Sequence, residues 1–270
     1  MLGERRSKRR YVQNERMPLK PPQTKKGVIR VEPPTTLWSW PEGADAEPFE
    51  ELVGVGADLE PGTILAAYRQ GLFPMPLPVE APTTQAEIAA IGWWSPDPRG
   101  VIPLDAGPGG IKMSRSLRRS LRRYKITVDQ AFDEVISACA EPNRQHGWID
   151  DEIITAYRRL HQMGWVHSIE AWDAEDGTLA GGLYGVAINA FFAGESMFSK
   201  RRDASKVALI ALVQLLRALR FQLLDVQWCT AHLKSLGAVE LPRTEYLGLL
   251  SAAVSAPAEL LGPLEQPWRL

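Results

Sequence analysis

The chain has 270 residues, 45% hydrophobic and 23% charged, the composition of a globular protein with room for one large domain or two modest ones. No run of about 18 apolar residues occurs, so no membrane span is expected, and the charged N-terminus lacks the apolar stretch of a secretory leader. A formal net charge of -1 hides two basic islands, ten basic against two acidic side chains over residues 1–30 and seven against none over 112–125, which points to an anionic partner.

Residues 1–36 alternate Arg and Lys with Pro, Gln and Thr and hold few large apolar side chains, so they read as a disordered basic tail. A small N-terminal domain is expected over 37–97. Within it, Asp58 and Pro61 precede the apolar-periodic Ile64, Leu65 and Tyr68, and Gly71 follows, which predicts a short helix. Six Pro between 71 and 100 forbid long regular elements there.

From Pro98 to the end, helices and strands alternate. Ser114 can cap a short basic helix, YKITVD reads as a strand, and Asp129 can cap a helix through about Ala140. Asp150 opens a longer helix with Ile153, Ile154, Tyr157, Leu160 and Met163 on one face, stopping at Gly164. VHSIEAWD and two further strands with a hairpin at Asn189 follow. Asp203 or Ser205 then begins a helix to about Phe221, LLDVQW is a central strand, and two short helices complete an α+β domain over 98–270 with a mostly antiparallel sheet.

Cys139 and Cys229 stand unpaired in spacing, as buried thiols of a reducing cytoplasm do. His146, His161, His167 and His232 are not spaced with Cys or carboxylates as zinc ligands, so no metal is expected.

Glu195 lies in the apolar stretch FFAGESMFS, where an ionised carboxylate needs a partner; it is either a structural ion pair or part of a site. Asp225 and Gln227 are two apart in LLDVQW, which by strand alternation puts them on one sheet face, able to position an amine and relay its proton, unless the position simply faces solvent. Cations in SKRRDASK precede a helix N-terminus, an arrangement that attracts phosphate. In the basic stretch, which also holds Arg115, residues Arg118, Arg119, Arg122 and Arg123 fall at i, i+1, i+4 and i+5, forming one broad face suited to a phosphate backbone. Trp93, Trp94 and Trp148 sit beside Gly in polar or Pro-rich surroundings, where an indole can stack on a base.

Taken in order, GLFPM at 71–75, WWSPDPRGVI at 93–102, GWI at 147–149, HSIEAW at 167–172, GGLYGV at 181–186, GESMFS at 194–199, ASK at 204–206, and DVQ followed by HLKSLGAVELPRTEYL resemble the leucyl/phenylalanyl-tRNA-protein transferases, from about Trp38 to Leu250. The resemblance implies a small N-terminal domain and a GNAT-like acyltransferase domain. It implies a cytoplasmic, cofactor-free enzyme, expected to be a monomer, that moves Leu or Phe, less readily Met, from aminoacyl-tRNA to the N-terminal Arg or Lys of acceptor proteins. The product is thereby marked for degradation by the N-end rule.

Carried over by position, the resemblance puts Asp225 and Gln227 at the catalytic centre, with Glu195 beside them holding the aminoacyl end or the acceptor. Trp148 would stack on the 3′-terminal adenosine of the tRNA. Met75 stands where some members place a second stacking Trp. Leu183, Phe192, Met197, Leu209, Leu212 and Leu224 would line the amino-acid pocket, with Leu183 and Leu212 in place of the Met and Phe of some members. A CoA-dependent acetyltransferase would need a Gly-rich pyrophosphate loop where SKRRDASK stands, and a non-catalytic RNA-binding protein would not need Glu195, Asp225 and Gln227 together.

Overall fold

A computed structural model describes residues 22–25, 29–40, 50–77, 90–104, 111–141 and 148–270. Two sheets organise them. The smaller is antiparallel, in the order β1 (Leu52–Val55), β3 (Ile91–Trp94), β2 (Phe73–Pro76), and the helix α1 (Pro61–Arg69) precedes β2. Pro61 starts α1 where no N–H is needed, Ile64, Leu65, Ala67 and Tyr68 are its buried side, and the chain leaves through Gly71 at φ +80°. Asp58 shapes the entry by accepting from the Glu60 N–H at 3.0 Å.

The larger sheet runs β10 (Val239–Leu241), β4 (Arg99–Ile102), β9 (Leu223–Gln227), β8 (Phe191–Ser199), β7 (Leu179–Ile188), β6 (Val166–Asp173), β5 (Tyr124–Val128). Every pairing is antiparallel except β8 with β9. Alternate residues feed two cores: Leu183, Ala187 and Phe192 pack on one face with α5 (Ala204–Ala218), while Tyr184, Val186, Phe191 and Ala193 pack on the other with α1, α3 (Phe132–Cys139), α4 (Asp151–Gln162) and α7 (Arg243–Ser255). The α+β class and the mostly antiparallel sheet agree with expectation.

Local departures have physical causes. Asp150 caps α4 by accepting from the Ile153 N–H at 2.9 Å, but Asp129 caps nothing. At φ +57° it turns back, and its carboxylate accepts from the Ser168 N–H at 2.9 Å and meets His167 Nδ1 at 2.8 Å. Asp203, at φ +65°, makes no side-chain cap on α5. The last helix, α7, has 13 residues and is not short. The basic stretch divides into α2 (Arg115–Ser120), capped by Ser114, and a tighter 3-10 turn over Leu121–Arg123. The single α-helical face predicted for its four arginines is therefore not formed, although Arg115, Arg118, Arg119, Arg122 and Arg123 are all exposed.

The N-terminal stretch also differs from a structureless tail where it is described; residues 1–21 lie outside the described residues. The Arg30 guanidinium lies 4.3 Å from the Trp165 ring centroid, and the Trp165 indole donates to Val31 O at 2.7 Å. Thr24 forms a β-bridge with Leu264, and Trp268 bridges Ile126 of β5. The anchors belong to the receiving surface, which a count of apolar residues within the stretch does not register. Among the described residues no helix is long and apolar enough to cross a membrane.

Candidate functional site

Strands β8 and β9 pair only from Phe191 opposite Leu223 to Ala193 opposite Asp225. Beyond that point they part, and a cavity of about 290 Å³ opens between them. Both strands carry an irregularity there. In β8, Tyr184 pairs with Ser196 and Gly185 with Gly194, leaving Glu195 as the extra residue of a bulge. Gly185 is required, since a Cβ on it would lie 2.2 Å from Ala193 O. In β9, Val101 pairs with Asp225 and Gly100 with Gln227, skipping Val226, and Gln227 sits at φ +53°. Bulges re-aim side chains, and here both bulged segments turn a polar group into the cavity.

The wall is otherwise apolar. Leu183, Met197, Leu209, Leu212 and Leu224 form its depth, and Trp148 and Met75 stand in it together. Phe192 does not line it; the side chain is fully buried in the α5 core, and its predicted place in the pocket is corrected. Phe73, Tyr184, Val226, Trp228 and His232 belong to the wall and escaped the sequence reading.

Glu195 accepts from the Tyr157 hydroxyl at 3.2 Å and from Gln227 Nε2 at 3.3 Å, and the Tyr157 and Tyr68 hydroxyls are 2.6 Å apart. Burial pushes the Glu195 carboxyl up to about 7, against the opposing effect of the Tyr68 and Tyr157 hydrogen bonds. Because its folded value lies above the ordinary 4.5, the stability it contributes is complete below about pH 4.5 and is lost as pH rises through about 7. Glu170, buried beneath Ser168 and Thr127 and also raised to about 7 by burial, acts with the same sign. Glu195→Gln, which resembles the protonated form, is expected to flatten the pH dependence of the unfolding midpoint in that window partly, leaving the Glu170 share; thermal scans from pH 4.5 to 8 check it.

Asp225 is not in the wall. It has no exposed surface, and the alternation that put it beside Gln227 on one face is broken by the bulge. Its Oδ1 accepts from Arg99 Nε at 2.9 Å, its Oδ2 from Arg99 Nη2 at 2.6 Å and from the Tyr246 hydroxyl at 2.9 Å. Its Oδ1 also accepts from the Gln227 N–H at 2.9 Å, which fixes the turn that aims the Gln227 side chain. A carboxylate so enclosed is not open to a molecule in the cavity, and its link to the cavity wall is the hydrogen bond it accepts from the Gln227 N–H. Arg99, Tyr246, Tyr68 and Tyr157 were missed in the sequence; the one signal for Arg99 was a charged residue inside a short strand, DPRGVI.

The remaining sequence candidates separate clearly. Trp93 is buried, its indole donating to Gly56 O at 2.6 Å, so it is not a stacking platform. Arg201 in SKRRDASK is occupied by Asp173 at 2.7 Å and Asp176 at 2.6 Å, and Lys206 by Asp203 at 3.1 Å, so two of the four cations of that segment are already hydrogen-bonded to carboxylates, while Lys200 and Arg202 are exposed. The five exposed arginines of 115–123 have no acidic group within 4.0 Å among the described residues.

Residues 106–251 match the family model described as leucyl/phenylalanyl-tRNA protein transferase, and residues 57–97 match the model for the N-terminal domain of that family. The chain is similar to the leucyl/phenylalanyl-tRNA–protein transferase of Aromatoleum aromaticum, 50% identical over 199 residues, or 72% of this chain and 78% of that protein. Its counterpart in Anaeromyxobacter dehalogenans is 47% identical over 224 residues, 81% of this chain and 89% of that protein. The one from Herpetosiphon aurantiacus is 48% identical over 202 residues, covering 74% and 97%.

Proposed function

The chain belongs to the leucyl/phenylalanyl-tRNA–protein transferase family, and on that footing we propose that it moves Leu or Phe, less readily Met, from aminoacyl-tRNA onto the N-terminal Arg or Lys of acceptor proteins. The observation that carries this reading is a leucine-lined cavity that ends at Glu195 and Gln227, sized for an apolar amino-acid side chain with a polar group at its carbonyl end.

The reaction is aminolysis of an ester already activated by its tRNA, so no cofactor is called for. The acceptor's α-amine has a pKa of roughly 8 and needs placement more than a strong base. Gln227 is held through Nε2 by Glu195, which leaves its Oε1 to accept from the amine. The nitrogen attacks the ester carbon, the C–N bond forms, the bond to the ribose oxygen breaks, and the amine proton ends on that oxygen. Asp225 and Arg99 hold Gln227 in register, and Trp148 with Met75 flanks the terminal adenosine. Divergence of a parallel strand pair, opening a slot for an acyl group beside the helix after a hairpin, supports a GNAT-like domain over residues 98–270, with 37–97 as the smaller N-terminal one. A monomer in the cytoplasm, where charged tRNA is plentiful, completes the reading.

The test is transfer of labelled Leu, Phe or Met from tRNA to Arg- or Lys-initiated peptides; transfer of none of the three overturns it. The exposed arginines at 115–123 supply phosphate contacts to the acceptor stem. Replacing Arg118, Arg119, Arg122 and Arg123 by Ala is expected to reduce the slope of log Kd for Leu-tRNA against log salt by roughly 3, measured by filter binding across a salt series.

A further inference from the structure

We infer that Trp228 and Glu51 form the subsite that takes the cationic side chain of the acceptor's N-terminal residue, an assignment that rests on the transfer reaction proposed above. Trp228 follows Gln227 directly, and its ring lines the same cavity. The indole is held on two sides, edge-on to Phe73 with centroids 5.1 Å apart and to Trp94 at 6.2 Å. Its Nε1 donates to Glu51 Oε2 at 3.1 Å, so the carboxylate stands at the edge of the ring.

Glu51 itself is anchored by its backbone, its carbonyl accepting from the Ser95 N–H at 2.8 Å. The side chain is half-buried, and among the described residues no Lys, Arg or His lies within 4.0 Å of it. A partly desolvated carboxylate whose one side-chain hydrogen bond among the described residues comes from a neutral indole keeps acceptor capacity for a cation. An indole face attracts guanidinium and ammonium groups, and guanidinium also stacks on it. A guanidinium laid on Trp228 with its edge toward Glu51 satisfies both at once, one residue from the amide that receives the α-amine.

Glu195 is the weaker partner for that cation. It is already engaged by Tyr157 and Gln227, and burial leaves it partly protonated near neutral pH. A neutral acceptor residue would leave Glu51 desolvated without a counter-ion, which is a basis for rejecting it.

The experiment compares wild type with Glu51→Gln, Trp228→Phe and Trp228→Leu. It measures KM for Arg- and Lys-initiated peptides, KM for Leu-tRNA, and calorimetric Kd of an Arg-initiated peptide for the free enzyme. Glu51→Gln is expected to raise peptide KM and Kd roughly tenfold while KM for Leu-tRNA stays put. Trp228→Leu should weaken Arg more than Lys, and Trp228→Phe, which keeps a ring, should fall between. Unchanged peptide affinity in both Glu51→Gln and Trp228→Leu overturns the assignment. So does a raised KM for Leu-tRNA with the peptide unaffected, which would mean that the indole stacks on a base. A wild type that binds the Arg peptide but transfers nothing to it defeats the transfer reading alone, and the Kd comparison still decides the subsite.

Discussion

Asp225→Asn is expected to lower folding stability by about 3–5 kcal/mol, the usual consequence of removing one partner from a buried ion pair. Arg99 and Asp225 are both without exposed surface, and the pair is bidentate. In the native protein burial works against the Arg99 charge and Asp225 outweighs it; without Asp225 that support is gone, and a guanidinium does not shed its proton in a protein to escape. With a neutral Asn it retains the Gly71 carbonyl at 2.9 Å and the rings of Tyr246 and Phe73 at 4.5 and 5.1 Å. Those are inadequate for a full charge. Urea unfolding followed by Trp fluorescence measures the loss, and the melting temperature should fall by roughly 10 °C. Arg99→Met combined with Asp225→Leu should recover much of the stability, because two apolar groups leave no orphan charge. Transfer should not return with it, since the Gln227 N–H loses the oxygen that sets its turn.

Gln227→Ala is expected to have the converse profile: near-native stability, with kcat for Leu transfer reduced by roughly 10²–10³-fold, the scale of losing one well-placed hydrogen-bonding group at a reacting centre. The side chain lies at the cavity wall, and its removal leaves Glu195, which it touches at 3.3 Å, still bonded to the Tyr157 hydroxyl. KM for Leu-tRNA should change little, because the leucine-lined depth and the Trp148 wall are intact. Single-turnover transfer, with tRNA binding measured alongside, separates the two effects. A loss confined to KM would remove Gln227 from the reacting centre.

What the sequence made legible followed from periodicity and local chemistry. Asp150 and Ser114 caps, the Pro61 start and the hairpin at Asn189 rest on interactions within a few residues, and each is present. The apolar lining was legible as far as Leu183, Met197, Leu209, Leu212 and Leu224 through the family resemblance, carried over by position. Bulges were not, because a skipped residue depends on the partner strand: nothing local to LLDVQW says that Val226 will be passed over opposite Gly100 and Val101. For the same reason Arg99 and Tyr246, separated from Asp225 by 126 and 21 residues, could not be assembled around it beforehand. Phe192 was misassigned because it lies where β8 is still paired with β9, opposite Leu224, short of the point at which the strands part and the cavity opens.

The β-bridges at the two ends of the described chain bear on how copies of the molecule behave in solution. β5 is the outermost strand of the large sheet, and Trp268 exchanges backbone hydrogen bonds with Ile126 at 2.7 and 2.8 Å, while Thr24 in turn pairs with Leu264. An uncovered edge is a template for another chain. A version ending at residue 262 should therefore scatter light and elute early from a sizing column at concentrations where the full chain does neither. On that expectation the terminal stretches act as a colloidal guard of the fold, and affinity tags at the C-terminus are best separated from Trp268 by a flexible spacer.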